Sequence, residues 1–254
     1  MALSERQHQI LNWVQQTESL SIEALVARYQ VSAQTIRKDV NQLAELGLIR
    51  RQHGGIALVS TAENLPFDNR QYLNGNAKAA IAASLAQQIP AGASLFLGIG
   101  TTVEYVAKAL LQHQGLQVFT NNLTVAAILC TNPAIQVRVS GGRLRHRHRD
   151  LVGEETLAFI RQYRVDYGIL GCGGLEPEWG LLDFDPDEAA VSRTLIEYSR
   201  CPILVADQYK WGRKASAHVA PFHALTRFYT DAISAEQQRL LRQEGVQLQL
   251  CPES

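Results

Sequence analysis

A chain of 254 residues is long enough for two domains, its 46% hydrophobic content is ordinary for a globular protein in water, and its zero net charge makes bulk electrostatics point to no partner. No apolar run approaches the roughly 18 residues that a membrane helix needs, and the amino terminus lacks a secretory apolar core, so a cytoplasmic protein without a membrane partner is expected. Cys130, Cys172, Cys201 and Cys251 are scattered without CxxC spacing, which suits reduced thiols rather than a zinc site.

Ser4 can cap a first helix running to about residue 17, with Ile10, Leu11 and Val14 as its apolar positions. Ser21 opens a second, with Ile22, Leu25, Val26 and Tyr29 facing inward. After a short turn, Ser32 caps a third helix that Gly47 stops. Its apolar face is Ile36, Val40 and Leu43, spaced i, i+4, i+7. At 100° per residue the opposite face carries Gln34, Lys38, Asn41 and Glu45, with Arg37 on its shoulder. Amide, hydroxyl and cationic groups at that end suit base edges and phosphates. Residues 48–59 then form two strand-like runs joined at Gly54-Gly55, a hairpin whose tip carries Arg51 and His53. Helix-turn-helix followed by a basic hairpin reads as a winged helix over residues 1–59, with double-stranded operator DNA as its partner and the tip against phosphate or in a minor groove. The competing reading is a three-helix module with an ordinary charged solvent face.

Turn formers break the hydrophobic pattern over residues 60–76, which we read as a linker. Beyond it, over 77–254, short apolar runs alternate with helical patterns. Helices are expected at 77–89, 102–111, 123–130, 154–162, 187–198 and 236–243. Strands are expected at 94–97, 116–119, 135–139, 165–170, 203–206, 227–229 and 246–250. This alternation predicts an α/β fold, a Rossmann-like, mostly parallel sheet covered on both faces. In such sheets ligands bind beyond the carboxyl ends of the strands. Those ends carry Gly98-Ile99-Gly100-Thr101-Thr102, Thr120-Asn121-Asn122, Ser140-Gly141-Gly142, Gly171-Cys172-Gly173-Gly174 and Asp207-Gln208-Tyr209-Lys210. Glycines let the backbone approach an anion, and a helix start offers free amides, so a phosphate-bearing small molecule is expected. Turn geometry alone is the alternative for each loop. The cationic run Arg143–Arg149 reads as a solvated loop, or else as the source of an arginine that closes over a ligand phosphate. Asp183, Asp185, Asp187 and Glu188 read as a solvated loop with charges at a helix start. They also leave open an enzyme of the sugar-phosphate isomerase or deaminase type with a helical appendage. No Ser-His-Asp order, metal-ligand spacing or nicotinamide fingerprint is present, so no catalytic, metal or cofactor site is expected.

Three runs carry a resemblance: Arg6-x-x-x-Ile10, Ser32-x-x-Thr35-Ile36-Arg37-Lys38-Asp39-Val40 and Leu46-Gly47-x-Ile49-x-Arg51-x-His53-Gly54-Gly55. They resemble the amino-terminal signature of the DeoR family of bacterial transcription regulators. The resemblance implies that Gln34, Thr35, Arg37 and Lys38 face DNA. Asp39 lies off that outward face and suits a structural partner for a nearby arginine. The order of the later loops is similar to the family's sensor domain, itself similar in fold to ribose-5-phosphate isomerase and glucosamine-6-phosphate deaminase. That likeness implies a phosphorylated sugar or polyol effector. Gly100, Thr101 and Thr102 would hold its phosphate within the loops that include Gly98, Gly141 and Gly142, while Asn121, Asn122, Glu188, Asp207 and Lys210 would contact its polar body or phosphate. The runs Phe119–Leu123, Tyr167–Gly171 and Asp183–Asp185 resemble a branch that responds to glycerol 3-phosphate, which makes that compound the favoured effector. Gly98 departs from the pattern, because many members carry Asp there. The likeness also implies a repressor acting as a dimer or tetramer whose paired winged helices read repeated half-sites.

Overall fold

The computed structural model describes residues 3–17, 19–52, 54–58, 73–146 and 148–252. His53, Arg147 and most of the expected linker lie outside them. The chain divides into two compact units, Met1–Gly75 and Asn76–Ser254.

The first unit contains α1 (Glu5–Thr17), β1 (Ser19–Ser21), α2 (Ile22–Tyr29), α3 (Ala33–Glu45), β2 (Ile49–Gln52) and β3 (Gly55–Leu58). Side-chain caps set the helix starts: Ser21 Oγ accepts from Ala24 N at 3.1 Å and Ser32 Oγ from Thr35 N at 3.1 Å. Gly47, with φ of 66°, ends α3 in a Schellman motif, with Leu48 N donating to Leu43 O at 3.0 Å and Gly47 N to Ala44 O at 2.9 Å. Ile36, Val40 and Leu43 close on Ile10, Leu11, Val14 and Leu25 as a dry core. The hairpin is real, and β1 joins it to give an antiparallel order β1-β3-β2 that sequence reading did not anticipate.

The second unit is built on a seven-stranded sheet in which every pairing is parallel. Its strands are β4 (Ser94–Leu97), β5 (Gln117–Thr120), β6 (Gln136–Val139), β9 (Val165–Leu170), β12 (Ser199–Val205), β14 (Arg227–Thr230) and β15 (Gln247–Leu250), in the order β15-β14-β12-β9-β4-β5-β6. Helices cover both faces: α4 (Gly75–Ala86), α5 (Thr101–Ala109) and α6 (Leu123–Leu129) on one, α7 (Glu154–Arg161), α8 (Pro186–Glu197) and α9 (Ala235–Gln243) on the other. The strands serve both cores by alternation. Leu95, Leu97, Ile169, Ile203 and Val205 face the first helix layer, while Phe96, Leu170, Leu204 and Phe228 face the second. Two antiparallel additions complete the unit. One is the hairpin β7 (Arg143–Arg145) with β8 (Asp150–Val152); the other is a three-stranded sheet of β10 (Gly174–Glu176), β11 (Gly180–Asp183) and β13 (Ala217–Ala220). Sequence reading passed over both. It also placed residues 75 and 76 in the linker, whereas α4 begins at Gly75.

Strand order determines where a crevice opens. From β4 the chain moves outward through β5 and β6, then returns to the other side of β4 for β9 and continues outward from there. The direction of winding therefore reverses between β4 and β9, and connections leaving their carboxyl ends diverge to opposite faces.

Candidate DNA-reading face and effector crevice

In the first unit, Ser32, Gln34, Arg37 and Lys38 are exposed on α3 and Thr35 is half-buried. Among the described residues the side chains of Gln34, Arg37 and Lys38 have no hydrogen-bond or ion-pair partner, so their polar ends are available. The Ser32 and Thr35 hydroxyls lie 2.9 Å apart at the helix start. Arg51 is exposed on β2, while His53 falls outside the described residues. Asp39 is 6% exposed and receives Arg6 Nε at 2.6 Å and Gln7 Nε2 at 3.3 Å. It therefore ties α1 to α3, and its place off the outward face matches the structural reading of the helix.

In the second unit, Gly98 follows β4, and its amide donates to Ile169 O of β9 at 2.9 Å. A Cβ there would stand 3.3 Å from Leu195 Cδ1, so Gly98 is a tightly packed point where a larger residue needs α8 to yield. Gly100, at φ 121° and ψ 148°, is the N-cap of α5 and provides no side-chain cap. That backbone region is essentially glycine's own. By contrast, α6, α8 and α9 are closed by their own Asn122, Asp185 and Ser234 side chains. The first-turn amides of α5 are thus left for another acceptor, beside half-buried Thr101 and buried Thr102.

The ends of β5 and β6 are the most polar buried part of the unit. Asn121 and Asn122 are fully buried. Asn121 Nδ2 donates to Leu151 O at 2.9 Å, and Asn122 Oδ1 accepts from Thr124 N at 2.9 Å and Val125 N at 3.2 Å. Among the described residues their other amide atoms, Asn121 Oδ1 and Asn122 Nδ2, have no hydrogen-bond partner, and neither does Ser140 Oγ. Thr120 pairs with Val139 in register, so Asn121 and Ser140 are the next cross-strand neighbours. Gly141 O accepts from Thr156 Oγ1 at 2.8 Å, and exposed Gly142 leads into β7. At the end of β12, buried Asp207 caps a short 3-10 turn, Gln208–Lys210, by accepting from Tyr209 N at 3.1 Å. Lys210 is half-buried at the end of that turn.

The cationic run and the acidic run, 40 residues apart in sequence, meet. Arg145, on β7, reaches Asp150 at 2.6 Å, Asp185 at 2.7 Å and Glu188 at 2.5 Å. His148 Nδ1 also lies 2.5 Å from Glu188. Asp150 and Glu188 are 0% and 4% exposed, so the solvated-loop reading fails for Arg145 and for Glu188. It holds for the exposed pair Arg143 and Asp187, 2.6 Å apart. Burial pushes the Glu188 carboxyl up, but hydrogen bonds from His148 and Asp183 and the charge of Arg145 outweigh it and hold it at about 2. Burial, with the charge of Glu188 beside it, pushes the Asp183 carboxyl well above its usual range. Burial also lifts Asp150, against the pull of Arg145. Through Asp150, bridged to Asn122, and Leu151, whose amide donates to Asn121 O at 2.8 Å, this network backs onto the asparagines. Sequence reading missed Arg145, His148, Asp150 and Asp183 as partners. Only the coincidence of two oppositely charged runs hinted at them.

All four cysteines are free, and burial pushes the Cys172 thiol in the loop after β9 up to about 12. Among the described residues no cluster of His, Cys, Asp and Glu could hold a metal, and no helix is long and apolar enough to cross a membrane.

Comparison with known proteins covers both units. Residues 6–62 match the DeoR-like helix-turn-helix domain, and residues 73–232 match the DeoR C terminal sensor domain. The chain is 42% identical to the glycerol-3-phosphate regulon repressor of Escherichia coli K12, over 99% of this chain and 100% of that one. Its identity to the Haemophilus influenzae protein of the same name is 42%, over 99% of this chain and 98% of that one. The E. coli transcriptional repressor CsqR is 37% identical, over 90% of this chain and 87% of that one. Among solved structures, ribose 5-phosphate isomerase A from Methanocaldococcus jannaschii has 13% identity and a TM-score of 0.41, over 56% of each chain.

Proposed function

The chain belongs to the DeoR family of transcription regulators, and on that premise we propose that it is a cytoplasmic repressor released from operator DNA by a phosphorylated sugar or polyol, glycerol 3-phosphate first. The observation that carries this reading is the identity of 42% with a glycerol-3-phosphate regulon repressor, which runs through both units rather than one. The repressor acts as a dimer or tetramer whose winged helices occupy paired half-sites.

On DNA, Arg37, Lys38 and Arg51, with His53, hold phosphates, and Gln34 reads a base edge from the start of α3. Ser32 and Thr35 fix that start and offer hydroxyls to the same backbone. In the sensor unit the effector phosphate sits on the uncapped amides of α5, with Gly98 and Gly100 allowing its approach and Thr101 and Thr102 donating hydroxyls. Asn121 Oδ1 and Asn122 Nδ2 supply an acceptor and a donor for hydroxyl groups. A buried polar atom left unpaired costs about 1–3 kcal/mol, so a ligand that pairs both atoms is favoured over an apolar one. Glu188, Asp207, Lys210 and the Gly141-Gly142 turn complete the pocket. Effector binding lowers operator affinity through a coupling of about 1–3 kcal/mol, because the effector prefers the state that DNA does not.

A thermal-shift screen over phosphorylated sugars and polyols tests the reading. Glycerol 3-phosphate is expected to raise the melting temperature at millimolar concentration, more than glycerol at equal concentration. A screen in which no phosphorylated compound shifts the transition contradicts it. Turnover of a sugar phosphate at ordinary enzymatic rates, followed by NMR, would favour the isomerase reading instead.

A further inference from the structure

We propose that Arg213, which nothing above assigns to the effector, is an anion-binding residue of the crevice and takes the phosphate ester of the effector in its guanidinium fork. The inference rests on the effector reading just given and adds a residue to that site.

Three observations support it. The first is an unmet charge. Arg213 Nη2 is closed to solvent and has no hydrogen-bond partner among the described residues. Elsewhere in the unit Arg143, Arg145, Arg161 and Arg200 each face a carboxylate. A guanidinium stays charged in proteins and has only donors, so a buried N–H of this kind calls for an acceptor, best an anionic one. The second is the way the side chain is held. The guanidinium carbon stands 5.2 Å from the centre of the Phe184 ring, a stacking contact that orients the fork without using its donors. The third is position. Gly212 N donates to Leu175 O at 2.9 Å, and a Cβ on Gly174 would collide with Arg213 O, so the backbone here lies directly on the start of β10, where the short loop from β9 ends. The same end of β9 touches the α5 loop, since a Cβ on Gly100 would stand 4.0 Å from Gly171 Cα. Arg213 thus belongs to the rim that carries the uncapped start of α5. The carboxyls of that rim have other donors: Asp207 accepts from Tyr209 N at 3.1 Å and Asp183 Oδ1 from Phe184 N at 2.9 Å. Arg145, in the 143–149 run, is engaged by three carboxylates, and Arg213 offers a fork that is not.

The test is isothermal titration of the full chain and of Arg213→Gln and Arg213→Lys with glycerol 3-phosphate and with inorganic phosphate, beside melting curves without ligand. Arg213→Gln is expected to weaken both ligands by about tenfold or more, the loss of a charge-assisted hydrogen bond. Arg213→Lys keeps the charge but loses the fork, and is expected to weaken glycerol 3-phosphate by an intermediate factor. If the glutamine variant does not fold, the lysine variant carries the test. Binding of glycerol 3-phosphate by a folded variant as tightly as by the unsubstituted chain overturns the assignment of Arg213 while leaving the effector reading intact. Failure of the unsubstituted chain to bind either ligand overturns both.

Discussion

Arg6 and Asp39 meet at 2.6 Å, with Asp39 only 6% exposed, so the pair is a joint between α1 and α3 rather than a surface ornament. Asp39→Ala strands Arg6 Nε without its acceptor and takes one of two acceptors from Gln7 Nε2, which keeps Gln42 Oε1 at 2.7 Å. It is expected to lower stability by about 1–3 kcal/mol, read by thermal denaturation of the full chain. Arg145 is the larger case. Arg145→Met leaves Asp150 and Glu188 buried without their cation, a loss of about 3–5 kcal/mol. Its pH dependence has a definite sign. The Glu188 carboxyl is held at about 2 in the folded chain, below its ordinary 4.5. Its contribution is therefore present above pH 4.5 and fades as pH falls toward 2. Asp183, raised by burial, acts oppositely: its contribution is complete below its ordinary 3.8 and fades as pH rises through the raised value. The gap in melting temperature between the natural chain and Arg145→Met is thus expected to be wide near neutral pH and to narrow toward pH 3. A gap independent of pH would show that Arg145 acts by packing alone. Asp39 could be read from the sequence because helical spacing alone moves it off the outward face. Arg145 could not, because its partners Asp185 and Glu188 lie at the start of α8, beyond four intervening strands.

At the scale of elements, sequence reading found all seven strands of the parallel sheet, the inner ones through their buried apolar runs, although the edge strands β6 and β15 are largely exposed. The ones it missed are three- or four-residue antiparallel strands: β1, β7, β8, β10, β11 and β13. A run so short shows no period, and in β7 the sequence Arg-Leu-Arg presents as a charge cluster. The carboxyl-end loops were legible because glycine and asparagine mark them; which amide atoms stay unpaired depends on the β7–β8 hairpin, which was not. Two elements carry predictions. Gly100→Ala forces a Cβ onto φ 121° with no neighbour within 3.9 Å, so its cost is backbone strain of about 1–3 kcal/mol rather than collision. Melting temperature and effector affinity should fall together. On α3, Arg37→Ala is expected to weaken all DNA alike and to lower the salt slope by about one, whereas Gln34→Ala should change base preference and leave the slope. Reversal of those two outcomes, measured by titration at several salt concentrations, would exchange their roles.

For the whole molecule, the reader and the sensor are separate compact units, each with its own dry core. Such a division makes coupling, not the fold of either unit, the property that defines a regulator. A ligand that binds both states equally shifts nothing, however tightly it binds. A coupling of about 1–3 kcal/mol corresponds to roughly 5–150-fold in operator affinity, and by linkage operator DNA must weaken the effector by the same factor. The measurement that meets this claim most directly is footprinting of the full chain on its operator with and without glycerol 3-phosphate. Occupancy is expected to fall as the ligand rises through the millimolar range, with the DNA titration displaced at least fivefold. Unchanged occupancy at saturating ligand would contradict the account.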